Sequence, residues 1–97
     1  MQYDHEYYQR LESRLRSILK SLDILIPGEI QSETIHYVDH GEYGIAFEGL
    51  CSYLAESAIK IPATIFEEMK RLDSDMGIES SEIDKVLISD SKSTVIS

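Results

Sequence analysis

Residues 11–28 read LESRLRSILKSLDILIPG, and this stretch decides the fold. At about 100° per residue, five of its aliphatic side chains fall on one stripe about 80° wide, namely Leu11, Leu15, Ile18, Leu22 and Leu25. Tyr7 and Tyr8 lie near the same stripe. The spacing predicts an amphipathic helix over residues 5–25. Pro27-Gly28 then predicts a turn, because proline disfavours helical geometry in the residue before it.

Two helices are predicted in the middle of the chain. The first covers residues 29–39, and Gly41 follows it at a left-handed stop position. Its buried side is expected to contain Ile30, Thr34, Ile35 and Val38. The second covers about residues 42–57 and places its core residues on one arc of about 140°, namely Tyr43, Ala46, Phe47, Leu50, Cys51 and Leu54.

The opposite side of the 42–57 helix carries few charges and includes Gly49. Glycine inside a helix costs about 1 kcal/mol relative to alanine. Gly49 therefore indicates close approach by another backbone, from this chain or from a partner. Two arrangements remain open: a central helix packed on both sides, or a helix that presents this side to a partner.

The last third of the chain predicts further helical structure. Ile-Lys-Ile-Pro at residues 59–62 predicts an extended connector, Pro62 begins a fourth helix, and Gly77 stops that helix after Met76. A weak capping pattern at residues 81–84 predicts a short fifth helix over 81–88. No segment alternates as a strand does. We therefore predict an all-α fold, a compact bundle of four to five helices in a single domain over residues 1–88, with a frayed tail over 89–97.

Charge and composition restrict the possible partners. The chain has 97 residues and a formal net charge of −9. Direct nucleic-acid binding is not expected, because it needs a basic face, whereas a basic protein partner suits this charge. The longest aliphatic run, Ile24-Leu25-Ile26, is far shorter than the roughly 20 residues that span a bilayer, so no membrane partner is expected. The N-terminus lacks the pattern of a secretory signal and Cys51 has no disulfide partner, so we expect a cytoplasmic protein.

Enzymatic activity is not expected from the motifs. The chain has no glycine-rich phosphate loop, no CxxC and no HExxH. Cys51 lies on the apolar arc of its helix, which predicts a buried and inert thiol. The neighbouring carboxylates are expected to be solvated, namely Glu67, Glu68, Asp73 and Asp75.

Glu33, His36 and His40 share one helix face and have the ligand types of a Zn²⁺ site. The set is incomplete, because no second motif supplies the remaining ligand. A polar helix end is the interpretation we favour, since histidine near a helix C-terminus complements the dipole. We expect neither a bound metal nor another cofactor.

The distribution of charge is more informative. No Lys or Arg stands between Lys20 and Lys60, whereas acidic residues and tyrosines occur throughout that interval. An uncompensated acidic stretch destabilises the free protein by self-repulsion, and tyrosine is a common interface residue. Composition alone leaves two interpretations open, a docking surface for a basic protein or acidity that serves solubility.

The segment HGEYGIAFEGLCSYL, residues 40–54, resembles the central motif of the MafI-type immunity proteins. These are small cytosolic antidotes of bacterial polymorphic-toxin and contact-dependent growth inhibition systems. Their pattern, G-E-x-G-x-A-x-E-x-L-C-x-x-L, is matched from Gly41 to Leu54. With its flanking features, the resemblance covers about residues 11–78. It implies a helical protein that binds a cognate toxin and blocks it.

The resemblance implies a partner as well, the toxic C-terminal domain of the cognate toxin. We expect a basic nuclease, such as an RNase, whose active site is covered by an acidic surface containing tyrosine, with the chain bound as a monomer. The alternative is a small acidic helical adaptor or self-association module without a toxin partner. The predicted contact residues are Tyr37, Asp39, Glu42, Tyr43, Glu48, Tyr53 and Glu56.

Overall fold

Four α-helices dominate a computed structural model that describes residues 5–78 and 82–89. A 3-10 helix (Ile83–Lys85) and two short strands, β1 (Lys60–Ile61) and β2 (Leu87–Ile88), complete the described part. The predicted all-α bundle is confirmed. The helices are α1 (His5–Ser21), α2 (Gly28–Asp39), α3 (Tyr43–Glu56) and α4 (Ala63–Met76).

The core lies where α1 and α3 meet the other elements. The apolar stripe of α1 is buried as its periodicity predicts, and Leu15 is fully enclosed. From α3, Phe47 and Leu50 are equally enclosed. Burying a side chain of this size stabilises a fold by about 1.5–3 kcal/mol, so this shared core fixes α3 against α1.

The first helix ends earlier than predicted, at Ser21 instead of residue 25. The chain continues as a turn, in which the Leu25 and Ile26 amides donate to the Leu22 carbonyl at 2.8 and 3.1 Å. The turn buries both Leu22 and Ile26, whereas Ile24 is 90% exposed. The apolar pattern thus continues beyond the end of the helix, because the turn before Pro27 also brings Leu22 and Ile26 to the core.

A tight loop joins α2 to α3 as a helical hairpin. Both helices begin and end within one residue of the predicted bounds. Gly41 has a φ of +74°, as expected for a left-handed stop. Its amide donates to the Val38 carbonyl at 3.0 Å and the Glu42 amide to the Tyr37 carbonyl at 2.9 Å. This pair of bonds is the Schellman motif, which satisfies the last carbonyls of α2 and fixes the turn into α3.

Helix α4 follows Pro62 directly and stops at Gly77, whose φ is +70°. The expectation of solvated carboxylates on this helix is confirmed at Glu67 and Glu68 but wrong at Asp73, which is only 8% exposed. Asp73 lies four residues after the buried Met69, so it shares the inner face of the helix.

Asp75, the last of the four carboxylates, is exposed on the outer side of α4. Its Oδ2 accepts a hydrogen bond from Arg14 Nη1 on α1 at 2.8 Å. This ion pair joins the two helices at the surface, so Asp75 is solvated as expected but not free.

The predicted fifth helix over 81–88 is wrong. A 3-10 helix occupies residues 83–85, and β2 then pairs in parallel with β1, Lys60 opposite Leu87 and Ile61 opposite Ile88. The extended residues 60–61 need hydrogen-bond partners for their backbone groups, and residues 87–88 supply them. Ile83 and Val86 are buried as expected, but Leu87 is 42% exposed. Apart from Ser89, the predicted tail lies outside the described residues.

Candidate functional site

A groove of about 340 Å³ runs between α2 and α3. Residues spaced at i, i+3, i+4 and i+7 form its α2 wall, which is the spacing of one helix face. On α3 the lining extends from Ile45 to Glu56, a length of about 16 Å along the helix. The α2 wall consists of Ile30, Glu33, Thr34 and Tyr37, and the α3 wall of Ile45, Ala46, Gly49, Ser52, Tyr53 and Glu56.

The groove is apolar near its floor, and its buried hydroxyl has a hydrogen-bond partner. Ala46 is buried, and Ile45 beside it is 52% exposed, which is high for a large aliphatic side chain. The Thr34 hydroxyl donates to the Ile30 carbonyl of its own helix at 2.8 Å. The floor therefore offers apolar surface to a ligand. The buried Thr34 hydroxyl already has a hydrogen-bond partner, as buried polar groups usually do.

Gly49 lies at the open side of α3. Apart from its own helix, no atom of the described chain comes within 4 Å of the position that a Cβ on Gly49 would take. Close approach by another part of the described chain is therefore excluded, and so is an α3 packed on both sides at this point. Of the two arrangements left open by the sequence, only a surface that faces outward agrees with this geometry.

The charge of the groove is uniformly negative. Its lining includes Glu33 and Glu56 but no lysine, arginine or histidine. Both glutamates are exposed, and neither forms an ion pair within residues 5–78 and 82–89. The Ser52 hydroxyl lies 3.5 Å from Glu56 Oε2, as a hydrogen-bond donor. Two carboxylates thus remain available to an incoming cation.

The seven predicted contact residues fall into separate groups. Tyr37, Tyr53 and Glu56 line the groove. Glu48 is exposed on α3, outside the groove lining. The remaining residues lie at the loop end of the hairpin, namely Asp39, Glu42 and Tyr43.

At the loop end, α1 supplies counter-charge to the acidic stretch. Arg16 donates through Nη2 to Asp39 Oδ1 and through Nε to Glu12 Oε2. The hydrogen bond to Asp39, followed by that to Glu12, raises the pKa of the Arg16 guanidinium. The interpretation of the stretch between Lys20 and Lys60 as uncompensated is therefore wrong at Asp39, because the cation comes from an earlier helix.

Tyr43 belongs to the same cluster at the loop end. Its hydroxyl lies 3.5 Å from Glu12 Oε1, as a hydrogen-bond donor, and its ring stacks on Tyr8 with centroids 6.1 Å apart. Burial, followed by the nearby negative charge of Glu12, raises the pKa of the Tyr43 phenol. These contacts hold Tyr43 against α1, whereas Tyr37 and Tyr53 border the groove.

The histidine pair does not extend to a metal-binding cluster. The rings of His36 and His40 lie 4.4 Å apart, and His40 Nδ1 is 2.8 Å from the His36 carbonyl oxygen. Within the described residues, no group of three or more His, Cys, Asp or Glu side chains could hold a metal ion. Glu33 lines the groove instead of joining the histidines in such a group.

Cys51 is fully buried in the core, as predicted from its place on the apolar arc of α3. Desolvation, with a smaller contribution from the charge of Asp73, raises the pKa of its thiol far above the ordinary value. The thiol therefore stays protonated, which deprives it of nucleophilic character.

Sequence reasoning missed several residues of these surfaces. Ile30 and Ile45 line the groove, and the signal for Ile45 was its position off the apolar arc of α3. Arg16 was not among the predicted site residues, although its place four residues after Glu12 indicates an ion pair along the helix. Its second bond, to Asp39, had no sequence signal, because it joins residues 23 positions apart.

Comparisons with known proteins do not assign the chain to a family. No protein-family model matches the chain, and neither a curated protein nor a solved structure does. Within the described residues, no helix combines the length and the apolar character needed to cross a membrane. The function therefore has to be inferred from the groove and its charge.

Proposed function

We propose that the chain is an immunity protein, which binds and neutralises the toxic domain of a cognate toxin. The partner domain is a basic nuclease, and the face formed by α2 and α3 covers its active site. One observation carries the proposal: the groove between these helices presents Glu33 and Glu56 beside two tyrosines, and its lining contains no cation.

Electrostatics explains how such a face would inhibit a nuclease. A nuclease binds phosphate groups, so its active site is basic. An acidic face steers the encounter with a basic site and raises the association rate, by about tenfold to a thousandfold at low salt. The complex then excludes the nucleic acid from the site. An antidote needs this speed, because the toxin acts on the cell that makes both proteins.

The tyrosines supply contact area on the same face. Tyr37 and Tyr53 are half-buried and pack against the core, so much of their freedom is already lost before a partner binds. A ring that is held in place loses little entropy on association, which is one reason why tyrosine is frequent at interfaces. The groove therefore combines two charged groups with two prearranged aromatic groups.

The motif shared with the MafI-type immunity proteins divides between core and surface. Ala46, Leu50, Cys51 and Leu54 are buried, so these motif positions serve the fold. Its glutamates are exposed, and Glu42 makes no side-chain capping bond at the start of α3. Neither Glu42 nor Glu48 forms an ion pair among the described residues, so both carboxylates are available to a partner, which supports a binding role for this part of the motif.

Co-expression tests the proposal. The chain is produced together with the toxic domain encoded immediately upstream of its gene, and growth and co-purification are recorded. We expect rescue of growth and a stable complex. Toxicity that persists, with no complex formed, would refute the immunity function for this pair.

Self-association is the second candidate function, and the half-exposed Ile45 is the observation that favours it. Two copies joined at the groove would, however, oppose their own glutamates, each on a chain of net charge −9. Sedimentation of the purified chain at several concentrations separates the candidates. A concentration-dependent dimer supports self-association, and a monomer contradicts it.

A further inference from the structure

We infer that the α2–α3 groove receives an amphipathic helix of the partner protein, which carries lysine or arginine beside an apolar stripe and crosses α3 closely at Gly49. The assignment of that helix to a toxin domain rests on the proposed function. The chemistry of the occupant rests on the groove itself.

The shape of the groove suits a helix. Its α3 wall is about 16 Å long, which matches about three turns of an α-helix. Ile30 is half-buried and Ile45 half-exposed, so these two side chains offer apolar surface in the groove, whereas Ala46 is buried. Grooves of this kind bind the apolar face of an amphipathic helix through side chains spaced at i, i+3, i+4 and i+7.

Gly49 gives the second, independent observation. Glycine weakens a helix interior relative to alanine, yet a Cβ at this position would meet no atom of the described chain outside its own helix. The packing of the described chain therefore gives no reason for a glycine here. A partner backbone that approaches α3 at this point does give one, because the absence of a side chain lets two helices come closer together.

Charge complementarity selects the partner. Glu33 stands on the α2 wall and Glu56 on the α3 wall, both exposed and without a cation in the groove lining. Lysine and arginine pack their apolar stems on a groove while their charged ends reach carboxylates at its rim. A second copy of this chain would instead bring like charges together. The groove therefore selects a basic helix.

The test uses the full chain and two probes. One probe is the toxic domain encoded upstream. The other is a synthetic amphipathic helical peptide with lysines on its polar face and leucine and alanine on the other, together with a control peptide in which glutamates replace the lysines. Binding is measured by calorimetry for wild type, Gly49→Leu and Gly28→Leu. Gly28 is a matched control, because it is also helical, has no atom within 4 Å of an added Cβ and lies outside the groove.

We expect Gly49→Leu to weaken binding of both probes by about tenfold or more, with Gly28→Leu close to wild type and no binding of the acidic peptide. Circular dichroism verifies that each variant is folded. If Gly49→Leu does not fold, the double variant Glu33→Lys/Glu56→Lys replaces it with the same expectation, since both side chains are exposed.

The remaining outcomes separate the two proposals. Equal binding of the toxic domain by wild type and Gly49→Leu would overturn the groove and keep the immunity function. Peptide binding that is sensitive to Gly49→Leu, without binding of the toxic domain, would keep the groove and overturn the function. If wild type binds neither the toxic domain nor the basic peptide, both the groove and the immunity function are overturned. If wild type forms a dimer that Gly49→Leu dissociates, the occupant of the groove is a second copy of the chain and not a partner helix.

Discussion

Arg16 on α1 donates a hydrogen bond from Nη2 to Oδ1 of Asp39, the last residue of α2. The same guanidinium also donates to Glu12 at 2.9 Å, so one cation serves two carboxylates. This contact divides the acidic stretch into two parts. The loop end is partly neutralised within the chain, whereas Glu33 and Glu56 at the groove form no ion pair among the described residues.

Asp39→Asn tests the strength of this contact. Both side chains are substantially exposed, so we expect the free energy of unfolding to fall by less than about 1 kcal/mol. The loss should vanish near 1 M salt, where the Debye length is about 3 Å. Urea denaturation at low and high salt measures it, with Asp23→Asn as an exposed control that forms no described ion pair. A loss above about 2 kcal/mol, or one independent of salt, would contradict a surface contact.

Replacement by alanine should have opposite effects on the free energy of unfolding at Gly49 and at Gly77. Gly49→Ala should raise the free energy of unfolding by about 0.4–1 kcal/mol, because alanine favours the helix and its Cβ finds open space. Gly77→Ala should lower it by about 1–2 kcal/mol, because Gly77 has a φ of +70°. Thermal melting detects both, since 1 kcal/mol corresponds to about 4–8 °C in a domain of this size. Destabilisation by Gly49→Ala would indicate an intrachain contact at Gly49.

Cys51 predicts a loss of stability at alkaline pH. Burial raises the pKa of its thiol in the folded chain, whereas the thiol of the unfolded chain ionises near pH 8.5. The unfolded state therefore releases the proton first, and the contribution of this residue to stability falls as pH rises above about 8.5. The slope for one such group is at most about 1.4 kcal/mol per pH unit.

Comparison with Cys51→Ala isolates this effect, because the tyrosines and the net charge are common to both chains. Urea denaturation between about pH 7 and pH 10 should show wild type losing stability relative to the variant only above about pH 8.5. A difference that stays constant with pH would show that the thiol is not protected from ionisation.

Ile83 tests the segment that was predicted as a helix and forms a 3-10 helix followed by a strand. Its side chain is buried, so Ile83→Ala should lower the free energy of unfolding by about 2–5 kcal/mol. Ile24→Ala is the matched control, because Ile24 is exposed and the same change there should stay within about 0.5 kcal/mol. Equal effects at the two positions would mean that residues 82–89 do not pack on the core.

Local signals in the sequence predict most of the helix bounds. Gly41 and Gly77 adopt the left-handed conformation that their positions indicate, and Pro62 directly precedes α4. The end of α1 and the residues after Ser81 could not be predicted in this way. Before Pro27, a turn and a helix would bury the same aliphatic side chains, so the pattern does not tell them apart. Strand β2 forms because β1 lies beside it, and the paired residues of the two strands are 27 positions apart in the sequence.

The site was predicted less completely than the fold, for a related reason. Tyr37, Tyr53 and Glu56 share a groove because α2 and α3 form a hairpin, and their spacing along the chain does not reveal this. Asp39 has its cation on α1. Asp73 is buried although the other three carboxylates of α4, Glu67, Glu68 and Asp75, are exposed. Helical periodicity gives the face of each residue, but which faces meet depends on the packing of the whole chain.

The rate of association with the toxic domain tests the central claim most directly. Stopped-flow measurements at low and high salt compare wild type with Glu33→Gln/Glu56→Gln and with Glu67→Gln/Glu68→Gln on α4. All four glutamates are exposed and each double variant loses the same charge, so only the position of that charge differs. We predict that the groove variant associates about tenfold more slowly at low salt and with a weaker salt dependence, while the α4 variant stays close to wild type. Equal rates for the two double variants would contradict a partner site at the α2–α3 groove.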